Sequence, residues 1–466
     1  MPAYAYPAFL FGGNTMNKND LTQGSVLKKL ILFVLPIFGA NVLQAMYGTV
    51  DLIVVGYFSD SSAVSAVATG SMTMQTINGI IIGLSMGGMI LLGQNIGAKK
   101  YDSATKTVAS SLGVFVIIGL LLTLLVPLLA KKLTVLMNAP IEAIDQTVSY
   151  ITVCGLGILA IIFFNVISGM FRGIGDSKSP FILMMISCAI NIVGDVLLVG
   201  YFDMAASGAA IATVFAQFIS VLASLMIMKK RGIGFEFHKD SFKWTKYETV
   251  KILKFGIPIA AQEALTGISF AVIMAILNSF GLVASAGVGI AEKVVGIMFL
   301  VPGALMAGIS AFTAQNIGAG QYRRAKQALF IGMGCSVIAG LAMFYVGFFQ
   351  GDILTGLFTK EKDVIEAASN FLKSYAIDCA IIGFNFSMMG YLNGCGQTLF
   401  VSLQGILSTF LVRIPVSFFM SKIPGVSLFR VGLATPCATV FAITITTVYI
   451  VFYERRKDAL IDYNEN

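Results

Sequence analysis

The sequence is short of charge, of histidine and of paired cysteines. Only 12% of its residues are Asp, Glu, Lys or Arg, roughly half the share of a soluble globular domain. The deficit accompanies a hydrophobic content of 57% and a mean hydropathy of +0.87, which excludes an ordinary water-soluble fold. The single histidine, His238, lies in a basic loop, so a His-based metal site or a Ser–His–Asp triad cannot be assembled. Six cysteines (Cys154, Cys188, Cys335, Cys379, Cys395 and Cys437) fall within or at the ends of apolar runs with no CxxC spacing. They read as small packing residues, not as a disulfide framework or zinc site. No nucleophile–base pair is recognisable, so an enzyme is not expected, and no cofactor is called for. "GIGDSKS" lacks GxxxxGK spacing and follows no strand pattern, so it is not a phosphate loop. Without an ATPase module, any transport must use an ion gradient or run downhill.

The net charge of +8 does not point to nucleic acid, because the basic residues occupy short loops between long apolar runs. About 22 Lys and Arg lie on the side of the termini, among them Lys28, Lys99, Lys229 and Arg455, against about 6 on the other side, such as Lys131 and Lys360. The positive-inside rule then puts both termini in the cytoplasm. The opening stretch "MPAYAYPAFLFGGNTMNKND" lacks the basic start and long apolar core of a cleaved signal. It reads as a disordered tail, with Met1 or Met16 as the start.

Twelve apolar spans are expected, near 29–56, 62–95, 103–129, 146–171, 179–201, 206–228, 250–281, 284–316, 324–349, 365–392, 397–420 and 431–453. Several exceed the roughly 20 residues needed to cross a bilayer and should tilt or bend. "QNIGAKKYDSATK" from Gln94 returns as "QNIGAGQYRRAKQ" from Gln315, a shift of 221 residues. The same shift carries "GMFRGIGDS" at Gly169 onto "GYLNGCGQT" at Gly390 and brings Pro36 within one residue of Pro258. The fold class that follows is an all-α polytopic membrane protein with twelve transmembrane helices in two pseudo-symmetric six-helix lobes, a parallel repeat of the kind known in transporters. The division expected is a cytoplasmic tail 1–25, an N-lobe 26–228, a cytoplasmic linker 229–249, a C-lobe 250–453 and a cytoplasmic tail 454–466. The 48 glycines suit close helix packing.

An ionisable side chain at bilayer depth costs about 2.5–3.5 kcal/mol on insertion scales, which makes each one a functional candidate. Here they are Asp51, Asp195, Glu263, Glu292, Lys293, Asp378 and Arg413. Glu292 and Lys293 are expected within a turn or so of a span end. Arg413, with no carboxylate on its own helix, either snorkels or pairs across helices. Residues three and four apart share a helix face, so Gln44, Tyr47 and Asp51 form one stripe, and Met184, Cys188, Asn191 and Asp195 another. Thr213 and Gln217 form a third. Polar faces turn away from lipid, so Asp51, Asn191, Asp195 and Thr213 are expected to share one pocket. Under the 221-residue shift Asn191, Asp195 and Thr213 fall on Val412, Val416 and Ala434, and Asp51 on Val272 or Ile273. The polar set exists in one copy only, which favours a specialised site over an architectural network. Two adjacent dry carboxylates must take up a proton or bind a cation. The oxygens of Asn and Thr suit Na⁺ and equally suit a protonated Asp.

With its twelve spans, paired QNIGA motifs and "RGIGD" at 172–176, the chain resembles a multidrug and toxic compound extrusion (MATE) transporter, most closely the DinF-like branch. The match covers about residues 26–455. The resemblance implies that Asp51, Asn191, Asp195 and Thr213 line an N-lobe cation site for H⁺ or Na⁺, and that Pro36 marks a hinge in the first helix. It implies more loosely that Gln44, Tyr47 and Met184 face the drug cavity. Glu263 and Asp378 do not fall in the register of the C-lobe carboxylates of the NorM-type branch. They are expected, with Gln217, among the substrate-cavity residues. The activity implied is alternating-access antiport of cationic, amphiphilic drugs and dyes in exchange for H⁺ or Na⁺, by a monomer in the bacterial or archaeal inner membrane. The alternative is a flippase or exporter of a lipid-linked oligosaccharide or related amphiphile. An anionic substrate of that kind calls for Arg or Lys in the cavity, and the central basic candidate is Arg413.

Overall fold

The computed structural model describes residues 20–231 and 241–465. His238, the alternative start Met16, most of the N-terminal tail and the middle of the linker lie outside the described residues. Every regular element among the described residues is a helix. In hydrocarbon a backbone N–H or C=O has no water to bond, and a helix satisfies these groups within the segment.

The helices are α1 (Val26–Phe58), α2 (Ser61–Gly97), α3 (Tyr101–Leu136), α4 (Ile144–Leu156), α5 (Ile158–Gly173), α6 (Lys178–Asp195), α7 (Ala205–Arg231), α8 (Lys246–Asn278) and α9 (Leu282–Met298). They continue as α10 (Leu300–Gly318), α11 (Tyr322–Phe349), α12 (Gly351–Gly356), α13 (Lys362–Gly394), α14 (Thr398–Leu407), α15 (Ile414–Ser421), α16 (Leu428–Gly432) and α17 (Ala434–Glu465). Among the described residues eleven spans are long and apolar enough to cross a membrane, and the pair α4–α5, bent by 54°, makes the twelfth. The bend falls at Gly157, where an added Cβ would stand 2.2 Å from Val214 Cγ1 of α7. A side chain at 157 would therefore force α7 away.

Local chemistry sets several helix starts. Asp60 caps α2 by accepting from the Ala63 N–H at 2.9 Å and from the Ser62 hydroxyl at 3.0 Å. Those bonds, the backbone one foremost, hold its carboxyl below the usual carboxylate range. Asp176, the last residue of RGIGD, caps α6 by accepting from Lys178 N and Ser179 N, each at 3.0 Å, and from Ser179 Oγ at 2.5 Å. Gly175, just before it, has φ +87°, a conformation that favours glycine. The motif is therefore a helix-start device.

The duplication shows in the backbone. Left-handed residues recur at the 221-residue shift, Lys99 (φ 56°) with Gly320 (φ 71°) and Gly175 (φ 87°) with Gly396 (φ 80°). The QNIGA motifs abut each other. A Cβ on Gly97 would lie 1.9 Å from Gln315 O, and one on Gly318 would lie 2.0 Å from Gln94 O. The repeated glycine is what lets the two helix ends touch backbone to backbone.

Packing divides the described chain into two compact units. The first contains everything to Ala260 together with Ala311–Arg324, and the second contains Ala261–Ser310 and Ala325 onward. This cut differs from one in the 229–249 linker, because the first turns of α8 and the end of α10 pack with the first unit. Within that unit the lead-in to α8 is tied to α3, Ser241 Oγ donating to Asp102 at 2.8 Å and Thr245 N donating to Ser110 Oγ at 3.1 Å. The lead-in to α1 is held at Leu21, whose carbonyl accepts from Asn316 Nδ2 and Arg324 Nη2, both at 3.2 Å. The first unit's cores are built around Ile81, Phe115, Ile151 and Ile162 and around Val55, Ala66, Tyr150 and Ala209. In the second unit the core gathers Ile273, Leu277, Val288, Val294, Phe371 and Tyr375 from α8, α9 and α13.

Candidate functional site

The first unit brings three polar stripes together on α1, α6 and α7. Asp51 is 2% exposed, and Asn191 and Asp195 are fully buried. Thr213 Oγ1 donates to Asp51 Oδ2 at 3.5 Å. The side chains acting on the Asp51 carboxyl are Asp195, Asn191 and Thr213, the four residues that helical spacing selects. Asp51 Oδ1, both Asp195 oxygens and both polar atoms of the Asn191 amide have no hydrogen-bond partner among the described residues. Buried polar atoms are nearly always satisfied in folded proteins, and five polar atoms of this one cluster are not paired within the chain.

The helices approach closely here for reasons local to the sequence. A Cβ on Gly194, beside Asp195, would stand 2.9 Å from Ala212 Cβ, beside Thr213, so a glycine and an alanine let α6 and α7 meet at this level. Directly after Asp195 the helix widens into a π turn, Val196–Tyr201. Such turns insert a residue into the ladder and are frequent at functional sites. Sequence periodicity cannot reveal such a turn.

One side of the cluster is lined by Tyr47, Met184, Cys188 and Ala216, packed against Leu43, Phe164 and Ile190. Tyr47 is buried with its hydroxyl unpartnered, and Gln217 is buried with Oε1 unpartnered. Gln44, one turn from Tyr47, is exposed. Helical spacing did not select Phe164 and Ala216, which carry no polar signal. α1 runs without interruption through Pro36, where the ring removes one backbone hydrogen bond. Sequence reading also missed a bond between α5 and α2, Asn165 Nδ2 donating to Asn78 Oδ1 at 2.7 Å.

Glu263 and Asp378 belong to the second unit and are not part of this cluster. Glu263 is exposed on α8, and Asp378 is fully buried in α13. Glu292 sits well inside the span Leu282–Gly318 and not near its end. Arg413 pairs across helices, its Nη2 donating to Tyr375 Oη at 2.8 Å. Among the described residues no group of three or more His, Cys, Asp or Glu side chains could hold a metal ion.

A family model described as MatE matches twice, over residues 36–197 and 258–419. The chain belongs to the MatE family. The matched stretches begin at Pro36 and Pro258 and have equal length, in keeping with the internal duplication. MatE proteins are membrane transporters and not enzymes. Similar relatives include the probable multidrug resistance protein YoeA of Bacillus subtilis, 26% identical over 92% of this chain and 94% of the relative. The probable multidrug resistance protein YpnP of the same organism is 29% identical over 87% of this chain and 91% of its own length. Among solved structures, a MOP superfamily transporter from Pyrococcus furiosus superposes with a TM-score of 0.87 at 19% identity, over 92% of this chain and 96% of that one. This likeness confirms the fold of the MatE chain as a multi-pass helical membrane protein.

Proposed function

We propose that this MatE protein is a secondary active multidrug exporter that releases cationic amphiphilic compounds in exchange for H⁺ or Na⁺, with Asp51, Asn191, Asp195 and Thr213 as the coupling site. One observation carries the reading. Two buried carboxyls, an amide and a hydroxyl from three helices converge with most of their oxygens unmatched. Two adjacent carboxylates out of water cannot both stay charged without a counter-ion. The set offers hard oxygen donors to Na⁺ and equally offers acceptors to a shared proton. Tyr47, Met184 and Gln217 supply apolar and polar wall to a drug cavity beside it, with Gln44 one turn away.

The mechanism is alternating access between two six-helix lobes, with both termini in the cytoplasm of the cell membrane. Ion arrival removes the repulsion between Asp51 and Asp195, lets α1 shift about the backbone bond missing at Pro36, and weakens the hold on a cationic drug. Linkage requires the converse, that bound drug weakens the ion. The relatives' names as multidrug resistance proteins support the efflux reading. The carboxyl-rich, arginine-free composition of the first unit's cluster argues against an anionic lipid-linked cargo at that site. The test is ethidium movement in vesicles under separately imposed pH and sodium gradients. One gradient should drive uptake in the native protein and fail to do so in Asp195→Asn. Gradient-driven transport of undiminished rate in that variant rejects the site.

A further inference from the structure

The segment that leads into α8 carries three exposed aromatic residues and two exposed lysines in the six positions FKWTKY, 242–247. Trp244, the chain's single tryptophan, is 56% exposed, and Tyr247 is 65% exposed. The segment is pinned along α3. Ser241 bonds to Asp102 and Thr245 to Ser110, and a Cβ on Gly113 would stand 3.3 Å from the Trp244 ring. Lys106 lies one turn from both Asp102 and Ser110, on the face that the segment crosses. Two further bonds fix side chains at the start of α8. Trp244 Nε1 donates to Thr249 Oγ1 and Thr245 Oγ1 donates to Glu248 Oε2, each at 2.6 Å. The Lys251 ammonium sits 4.3 Å from the centre of the Tyr247 ring. Farther along α8, Val250, Lys254 and Ile257 are exposed on the same stripe as Tyr247.

Tying down a helix lead-in does not require this chemistry. Under the 221-residue shift FKWTKY falls on LTQGSV, residues 21–26, which lead into α1. That lead-in is pinned as well, through the buried Leu21, and it has neither an aromatic residue nor a lysine. The aromatic and basic side chains are therefore an addition to one copy. Residues 99–113 and 241–257 together hold seven lysines against two carboxylates. Both carboxylates are already engaged, Asp102 by Ser241 and Glu248 by Thr245. Among the described residues Lys106, Lys243, Lys246 and Lys254 form no ion pair.

We propose that this surface is a binding site for the headgroups of anionic phospholipids. α3 and α8 are both long and apolar enough to span a membrane, so their first turns meet the headgroup layer. Trp and Tyr rings settle at that depth, the apolar body towards the acyl chains and the polar edge towards water. Val250 and Ile257 continue the apolar contact inward, and the Lys254 stem runs beside them with its ammonium reaching back to the surface. Lys106, Lys243 and Lys246 then stand beside the lipid phosphates as unpaired point charges. Each lysine held near an anionic leaflet strengthens attachment roughly fivefold, whereas a headgroup without net charge gains little from it. None of these residues belongs to the Asp51–Asp195 cluster, so the site stands whether or not the antiport reading holds.

Because Trp244 is the only tryptophan, tryptophan emission from the full-length chain reports on this surface alone. The protein is placed in bilayers of mixed phosphatidylglycerol and phosphatidylcholine, with the acyl chains of one lipid or the other brominated, and quenching of Trp244 is compared. Brominated phosphatidylglycerol should quench beyond its mole fraction and brominated phosphatidylcholine below its own. Added salt should narrow the difference. Lys106→Gln/Lys243→Gln/Lys246→Gln should lower the preference at least about fivefold, and the matching Lys→Arg variant should keep it. Lys131→Gln/Lys132→Gln, near the other end of α3, should leave it unchanged. Equal quenching by the two lipids in the native chain overturns the proposal, as does a preference that the triple Gln variant retains. A preference lost equally in Lys131→Gln/Lys132→Gln would belong to total charge and would also overturn the site. If the triple Gln variant fails to fold, the native comparison and its salt dependence still decide.

Discussion

Replacing Asp195 with Asn removes one of two carboxyls that share a dry space while keeping its size and its capacity to hydrogen-bond. Asp195 is fully buried, Asp51 is 2% exposed, and Asp195 is the charged side chain acting on Asp51. Two unit negative charges about 4 Å apart at an effective dielectric near 20 repel by about 4 kcal/mol. At about 1.4 kcal/mol per tenfold this corresponds to roughly three decades in occupancy by a neutralising ion. A fraction of that energy, felt as a difference in drug affinity, gives the coupling of about 1–3 kcal/mol, or 5–150-fold, usual for linked sites. Ethidium affinity of the purified protein, followed by fluorescence anisotropy, should therefore weaken by at least about fivefold on adding the coupling ion, be it Na⁺ or acid. In Asp195→Asn the repulsion is gone and the affinity should no longer respond to either ion. An unaltered ion response in the variant would refute the electrostatic reasoning, whatever the absolute affinity.

Other consequences concern the scaffold. Asp60 has its carboxyl held low by its cap bonds, so its contribution is fully present above the ordinary carboxylate value and is lost as pH falls through the lowered folded value. Thermal melts in detergent should show an acid limb that Asp60→Ala flattens, and an identical limb in the variant counts against the cap. Asp176→Ala removes three acceptor contacts at the start of α6 and should cost about 0.5–2 kcal/mol, visible as a lower Tm. Gly318→Ala would place a Cβ 2.0 Å from Gln94 O. The backbone of α2 must then move, at a cost of about 1–3 kcal/mol or more, so a Tm equal to the native one would contradict the abutting motifs.

Much of this was legible in the sequence because it depends on local repeats. The length of apolar runs sets the number of spans, and self-similarity at a fixed shift exposes the duplication. The 3.6-residue period alone puts Asn191 above Asp195 and Tyr47 above Asp51 on single helix faces. That the three stripes would meet followed from the exclusion of polar faces from lipid. What the chain could not announce is how helices rotate and how closely they approach one another. The abutting of Gly97 and Gly318, the bend at Gly157 and the reach of Arg413 to Tyr375 each depend on residues far apart in sequence. The π turns after Asp195 and before Ile414 shift helical register in a way that a constant period hides. The QNIGA and RGIGD motifs were visible as text; the cap at Asp176 is made by bonds two and three residues on, whereas only packing made QNIGA a close contact between helix ends. Local periodicity decides which face a side chain occupies, and the tertiary fold decides what that face meets, because the partner is chosen by backbone approach over hundreds of residues.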